Sequence, residues 1–182
     1  LCGIYTGFVT LVAQVFFKDK ANGSLIKVDG VNHGSTLIGQ HFTGSRYMWG
    51  RFSNSETDLN NFKTLNGKKV FYAGVSNISP AGMQYEKLVK QRVRQIKSAN
   101  SEKKDIPVPV ELVTESGSGL DPHISYNTAI YQIERIARTR KMNTEQVKAI
   151  IDKCTENGFL FVFGEKTVNV LKVNLYLDGI LR

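Results

Sequence analysis

Charge is missing from the first 17 residues of this chain, and cysteine is nearly missing from all 182. The two cysteines are Cys2, inside the uncharged run, and Cys154, so the remainder of the chain cannot close an internal disulfide. His33, His41 and His123 lie far apart and form no Cys/His ligand spacing, so no metal site is expected. No Walker loop, complete GxGxxG or GxSxG element occurs. There is no catalytic dyad, no carboxylate pair at a defined spacing, and no internal repeat or low-complexity stretch. These absences argue against a free-standing enzyme: no catalytic residue is assigned and no cofactor of its own is expected. With 41% hydrophobic and 22% charged residues, the chain is neither disordered nor a multi-span membrane protein.

What stands in place of charge is the opening run Leu1 to Phe17, LCGIYTGFVTLVAQVFF. As a helix it would extend roughly 25 Å, slightly short of the ~30 Å hydrocarbon core. The run does not begin with Met, and a few further apolar residues upstream would complete a span. A secretory signal core and a buried helix are the alternatives. No small-x-small cleavage pattern follows Phe16-Phe17-Lys18, and the run is apolar all round apart from Gln14 and a few small polar residues. A retained single membrane anchor is therefore the favoured expectation. Gly3 and Gly7 form a GxxxG spacing that would let another helix approach closely.

The net charge of +8 raises nucleic acid as a partner. The densest basic runs, Lys87 to Lys97 and Arg135 to Lys141, sit on patterned helices whose opposite faces are apolar, and no nucleic-acid motif accompanies them. A solvated or lipid-facing surface fits better, and nucleic acid is not expected.

Along the chain, Lys18 to Gly23 reads as a polar hinge. The Gly-, Asn- and Ser-rich stretch from Ser24 to Ser79 reads as short strands and long loops, with apolar runs at Leu25-Ile26, Thr36-Leu37-Ile38 and Val70-Phe71-Tyr72. Ser79-Pro80 predicts a helix start, and Tyr85, Val89, Val93 and Ile96 give a helical stripe through residues 81 to 99. Pro107 to Val113 predicts an edge strand. Ser116 to Pro122, SGSGLDP, is a turn-rich loop, and a helix is predicted from Ser125 to Arg140. A further helix follows Asn143 as N-cap with Gln146 three residues on, with Gly158 as its stop. Phe159 to Phe163 and Val168 to Leu177 read as strands around Gly164-Glu165-Lys166. The expected class is α+β: one mixed helix/strand domain over residues 24–182, a hinge over 18–23, and an anchor over 1–17.

The SGSGLDP loop draws attention because backbone N–H groups of Gly117 to Leu120 would suit an anion before a helix. On the residues alone, a tight structural turn is the better reading. Val108 to Ser125, VPVELVTESGSGLDPHIS, resembles the signature of the KdpC family, the C subunits of bacterial ATP-driven potassium pumps. The resemblance extends to Ala21-Asn22-Gly23-Ser24-Leu25, to Gly34 through Phe42 (GSTLIGQHF), to Tyr131 through Ala137 (YQIERIA) and to Asn174 through Asp178 (NLYLD). It departs at Arg51-Phe52-Ser53, where the family has Arg-Pro-Ser, and at Ala73 through Pro80, where it has a Gly-Ser-Asn-Leu-Gly segment leading to Asn-Pro.

The resemblance implies an accessory subunit of a four-part complex. Its partners are a channel-like K+ subunit, a P-type ATPase subunit and a small peptide subunit, all in a bacterial cell membrane. It implies a single-pass anchor, membrane lipid around it, and an extracytoplasmic C-terminal domain; Lys18 and Lys20 beside the anchor favour the opposite orientation by the positive-inside rule. The family has been described as a catalytic chaperone that raises the pump's ATP affinity. Nucleotide contact is attributed there to the position of Gln132, so ATP enters through the complex. The reading from the residues gives Gln132, at the edge of an apolar stripe, a hydrogen bond that fixes a loop or a partner. For Ser116, Gly117, Ser118, Gly119, Leu120, Asp121 and Ser125 it gives a rigid docking element, with Gly117 and Gly119 at backbone angles a side chain would hinder. A secreted or anchored small-molecule-binding domain unrelated to transport is the alternative.

Overall fold

The computed structural model describes residues 1–52, 62–65, 68–71, 78–158 and 164–182, with 62–65 and 68–71 described through their backbone alone. The predicted strand Phe159 to Phe163, Ser53 and the stretch 72–77 lie outside the described residues. The α+β expectation holds: short antiparallel strands alternate with seven α-helices among the described residues. Contacts divide the chain into two units, Leu1–Ile38 and Gly39–Arg182.

In the first unit the uncharged run forms α1 (Cys2–Phe16), with no buried residue. Among the described residues no helix is long and apolar enough to cross a membrane. The predicted hinge is a helical turn, α2 (Lys18–Ala21), closed by the Asn22 side chain donating to Lys18 O and paired with the Gln14 amide. A hairpin follows: β1 (Leu25–Val28) pairs antiparallel with β2 (Val31–Ser35) through Asp29 and Gly30, both at positive φ. Thr36 to Ile38 is a turn rather than a strand, since the ladder ends at Ser35, whose hydroxyl donates to Gly23 O.

The second unit carries the core. Strands β3 (Phe62–Leu65) and β4 (Lys68–Phe71) form a hairpin. Helix α3 (Met83–Ala99) starts from Gly82, not Ser79; Gly82 N–H closes a turn on Ser79 O first. Pro107 to Val113 is not a strand. The residues from Pro109 onward wind into a 3-10 turn, Val110–Leu112, because Leu112, Val113 and Thr114 N–H groups bond back to Pro109 and Val110 carbonyls.

The helix predicted over Ser125 to Arg140 is two pieces, α4 (Tyr126–Tyr131) and α5 (Ile133–Arg140), parted at Gln132. Helix α6 (Thr144–Lys153) opens on the expected capping box between Asn143 and Gln146 and stops at Lys153, before Gly158. Val168 to Leu177 splits as well. β7 (Thr167–Asn169) pairs with β5 (His123–Ser125) and β6 (Thr155–Glu156) in the order β5-β7-β6, and α7 (Val170–Leu177) then begins with the Asn169 side chain accepting from Lys172 N–H. An apolar run buried on all sides carries no period by which to tell strand from helix, and the Asn cap decides it here.

Among the described residues, two apolar clusters result. The larger joins Ile133, Ile136, Val147, Ile151, Val168, Val173 and Met48; the smaller joins Ile96, Leu112, Val113 and Tyr131, with Trp49 and Phe52 against it. Met48 and Trp49 are neighbours in the chain, yet their side chains enter different clusters.

Candidate functional site

The stretch from Ser45 to Trp49 is irregular, and its peptide groups are bonded by side chains that arrive from far along the sequence. Asn174 on α7 accepts from Met48 N–H at 2.7 Å and donates to Met48 O at 2.9 Å. Gln132 does the same for the next residue, accepting from Trp49 N–H at 2.9 Å and donating to Trp49 O at 2.9 Å. Each amide thus stands in for a neighbouring strand. Arg135, one turn on from Gln132, donates to Tyr47 O at 2.9 Å, to Asn100 Oδ1 at 3.2 Å, to Gln132 Oε1 at 2.6 Å and to Ser45 O. Its guanidinium stacks on Trp49, 3.8 Å from the ring centroid.

Gln132, Arg135 and Asn174 are all essentially sealed from solvent, at 0%, 0% and 1% exposure. Arg135 faces no carboxylate in this cluster, and burial pushes its pKa down to about 9. It remains a cation at neutral pH, stabilised by neutral oxygens and an aromatic face.

Beyond Trp49 the chain reaches Arg51, which ties two carboxylates together: Glu111 at 3.0 Å and Asp121 at 3.2 Å. Glu111 in turn accepts from both Ser125 N–H (2.9 Å) and Ser125 Oγ–H (2.7 Å) at the start of α4. Burial alone would raise the Glu111 carboxyl. Hydrogen bonds from Thr128 and Ser125, with the Arg51 charge, outweigh it and hold the group below the ordinary carboxylate range. Ser125 also caps α4 by accepting from Thr128 N–H.

The SGSGLDP loop sits on this junction and is mostly bonded to itself. Gly119 N–H bonds to Ser116 O, Leu120 N–H to Ser118 Oγ and Asp121 N–H to Ser116 Oγ, while Asp121 accepts from His123 N–H. Two of the N–H groups considered for an anion are thereby spent inside the loop, and the Asp121 carboxylate stands beside them. Gly119 has φ of +69°, which an L side chain resists, and it is buried. Gly117 differs from expectation: its backbone is ordinary and the space around it is open. A glycine the sequence reading passed over matters more. Gly39 N–H donates to Leu120 O at 2.7 Å, and a Cβ there would stand 2.7 Å from Asp121 O. The GSTLIGQHF and SGSGLDP motifs thus meet backbone to backbone.

Ser116 to Asp121 and Ser125 therefore share one neighbourhood, joined through Arg51 and Glu111 to the stretch held by Gln132. Gly3 and Gly7 lie on α1, in the other unit. Sequence reasoning missed Arg135, Asn174, Arg51 and Glu111. For Asn174 and Glu111 the available signal was a polar residue inside an apolar run, as in VLKVNLYL and PVPVELV. The site offers no paired acid and base aimed at a common point. Cys154 is buried, with its thiol pushed up to about 11 by burial, so it is a poor nucleophile. Among the described residues no group of three His, Cys, Asp or Glu could hold a metal ion.

The family model described as "K+-transporting ATPase, c chain" matches residues 1–179. The chain is 57% identical to a potassium-transporting ATPase KdpC subunit from Clostridium perfringens, over 100% of this chain and 91% of that protein. It is 51% identical to the KdpC subunit of a Clostridium botulinum type B strain, over 100% and 90%. The KdpC subunit of Paraburkholderia phymatum is 42% identical, over 98% and 88%. Similarity of this extent, running through both motifs that meet at Gly39, means that the chain belongs to the KdpC family of K+-transporting ATPase c chains.

Proposed function

We propose that this chain is the accessory, non-catalytic C subunit of an ATP-driven potassium-transporting ATPase. The family match over residues 1–179 carries this reading. Its partners are the channel-like K+ subunit, the P-type ATPase subunit and the small peptide subunit, and ATP acts through the complex. Residues 1–17 anchor the chain in the bacterial membrane with Gly3 and Gly7 toward a partner helix. Residues 18–23 link the anchor to an extracytoplasmic domain over 24–182. The absence of charge and of buried residues in α1 supports the anchor. The family resemblance supports the sidedness.

Within the domain, the SGSGLDP loop and the start of α4 serve as a preformed docking element. Bonds from Arg51 and Glu111 support this by fixing the loop before any partner arrives. For Gln132, both ends of the amide are committed to Trp49 and Arg135, which supports a role in holding the 45–49 stretch over direct contact with ATP. Affinity capture of the tagged chain from detergent-solubilised membranes, with mass identification of what co-purifies, tests the main reading. Recovery of the ATPase and channel-like subunits is expected. Recovery of the chain alone, with a shortened N-terminus, would sink it in favour of a secreted binding domain. Titrating the purified chain with ATP separates the two roles of Gln132, and saturable binding lost in Gln132→Glu would favour nucleotide contact.

A further inference from the structure

We propose that the outward face of α3, carried by Lys87, Lys90 and Arg94, rests on anionic phospholipid headgroups. The helix buries Arg92 and Ile96 and half-buries Leu88, Val89 and Val93, while Gln84, Lys87, Lys90, Gln91, Arg94, Gln95 and Ser98 are exposed. Cations at 87, 90 and 94 follow one stripe at helical spacing. The only carboxylate on α3 is Glu86, and Lys90 takes it. Lys87 and Arg94 have no ion-pair partner among the described residues.

The rest of the domain behaves differently. On α5, Arg138 pairs with Glu102 and Arg140 with Asp178; on α6, Lys148 pairs with Asp152 and Lys153 stacks on Tyr176; on α7, Lys172 pairs with Glu156. Where these helical cations meet an acid or a ring, Lys87 and Arg94 stand open at either end of the stripe, rimmed by glutamine amides that also donate to phosphate oxygens.

Lipid is the occupant the observations favour. The inference rests on the anchored reading, since α1, uncharged and without a buried residue, would hold the chain beside headgroups. Anchors of this kind gain from nearby basic clusters. Nucleic acid fits less well, because the exposed face of α3 has no aromatic ring on which a base would stack.

The test uses the full chain reconstituted in vesicles of phosphatidylcholine, with or without phosphatidylglycerol. A membrane-impermeant amine reagent is applied at low and high salt, and labelling of Lys87, Lys90 and Lys148 is read by mass spectrometry. Labelling of Lys87 and Lys90 should fall about fivefold in the anionic vesicles at low salt and recover at high salt. Lys148, paired on α6, should not change. The exposed-site variant Lys87→Gln/Arg94→Gln should remove the protection of Lys90.

Equal labelling in both vesicle types overturns the proposal. So does protection that appears only when the purified partner subunits, or DNA, are added. Flotation through a high-salt gradient reports the anchor separately. A chain that floats throughout without protecting Lys87 keeps the anchor and refutes this face. One that leaves the vesicles at high salt but protects Lys87 on anionic vesicles at low salt does the reverse.

Discussion

The 45–49 stretch and the SGSGLDP loop are both irregular backbone beside the same helices, but different means hold them. The first bonds little to itself and is gripped by Asn174, Gln132 and Arg135, which arrive from 83 to 126 residues away. The second is closed by its own serines, Asp121 and a left-handed Gly119, and touches the distant chain chiefly at Gly39 and Arg51. A segment that runs into the core at Met48 without a strand neighbour still needs its peptide groups bonded, so its order depends on remote side chains: Asn174, Gln132 and Arg135, with Thr139 and Arg140 at its exposed end. A surface turn can lose one internal bond to water at small cost.

The sharpest way to break the comparison is Arg135→Leu. It would take the guanidinium donors from Tyr47 O and from Oδ1 of the buried Asn100, and would leave the exposed Ser45 carbonyl to the Thr139 hydroxyl alone. A loss of about 3–5 kcal/mol is expected, visible as a large fall in the unfolding midpoint of the detergent-solubilised protein. A near-wild-type midpoint would mean that the stretch is held by packing alone.

Asn174→Leu should cost less, about 2–3 kcal/mol, since only the Met48 peptide loses its partners. A double-mutant cycle with Gln132→Leu should show coupling, because the two amides grip adjacent residues. Strict additivity in denaturant melts would contradict the idea of one shared grip.

For the loop, Gly119→Val should cost about 1–2 kcal/mol by forcing a β-branched side chain to positive φ. It should also reduce recovery of partner subunits in affinity capture. Gly117→Val, at open space with ordinary backbone, should stay within about 0.5 kcal/mol. Equal effects at the two glycines would remove the conformational argument.

The mildest change, Glu111→Gln, sharpens the junction between the two regions. Because the folded state holds this carboxyl below its ordinary value, its stabilising contribution is present above the unfolded pKa. That contribution is lost as pH falls through the lower folded pKa. Acid unfolding should therefore be shallower in the variant over that interval, with the variant less stable near neutrality and the two curves converging at low pH. Parallel curves at all pH would show that Glu111 carries no such linkage.

What the sequence made legible was local. The capping box at Asn143, the stripe of α3 and the turn character of SGSGLDP depend on residues within a few positions of one another. The strand predicted at Val168 to Leu177 was misread because full burial erases the period. The one predicted at Pro107 to Val113 was misread because alternating Pro and Val suits a 3-10 entry as well as an extended edge. What Arg135 and Asn174 grip left no local trace, since most of their hydrogen-bond partners are backbone atoms that any residue supplies. Gln132 was noticed for its family position, with a loop-fixing hydrogen bond as the other reading. That the loop is the Trp49 peptide, 83 residues upstream, could not be read from its neighbours.

The grip by Asn174 also has a consequence in time. Met48 waits for a partner 126 residues downstream, which at ordinary synthesis rates means roughly 6–25 s before that partner exists. Through that interval the Met48 peptide remains hydrated, and the stretch cannot seal until α7 has been made. A nascent chain released before Asn174 would leave the Met48 amide without that partner and open to solvent exchange.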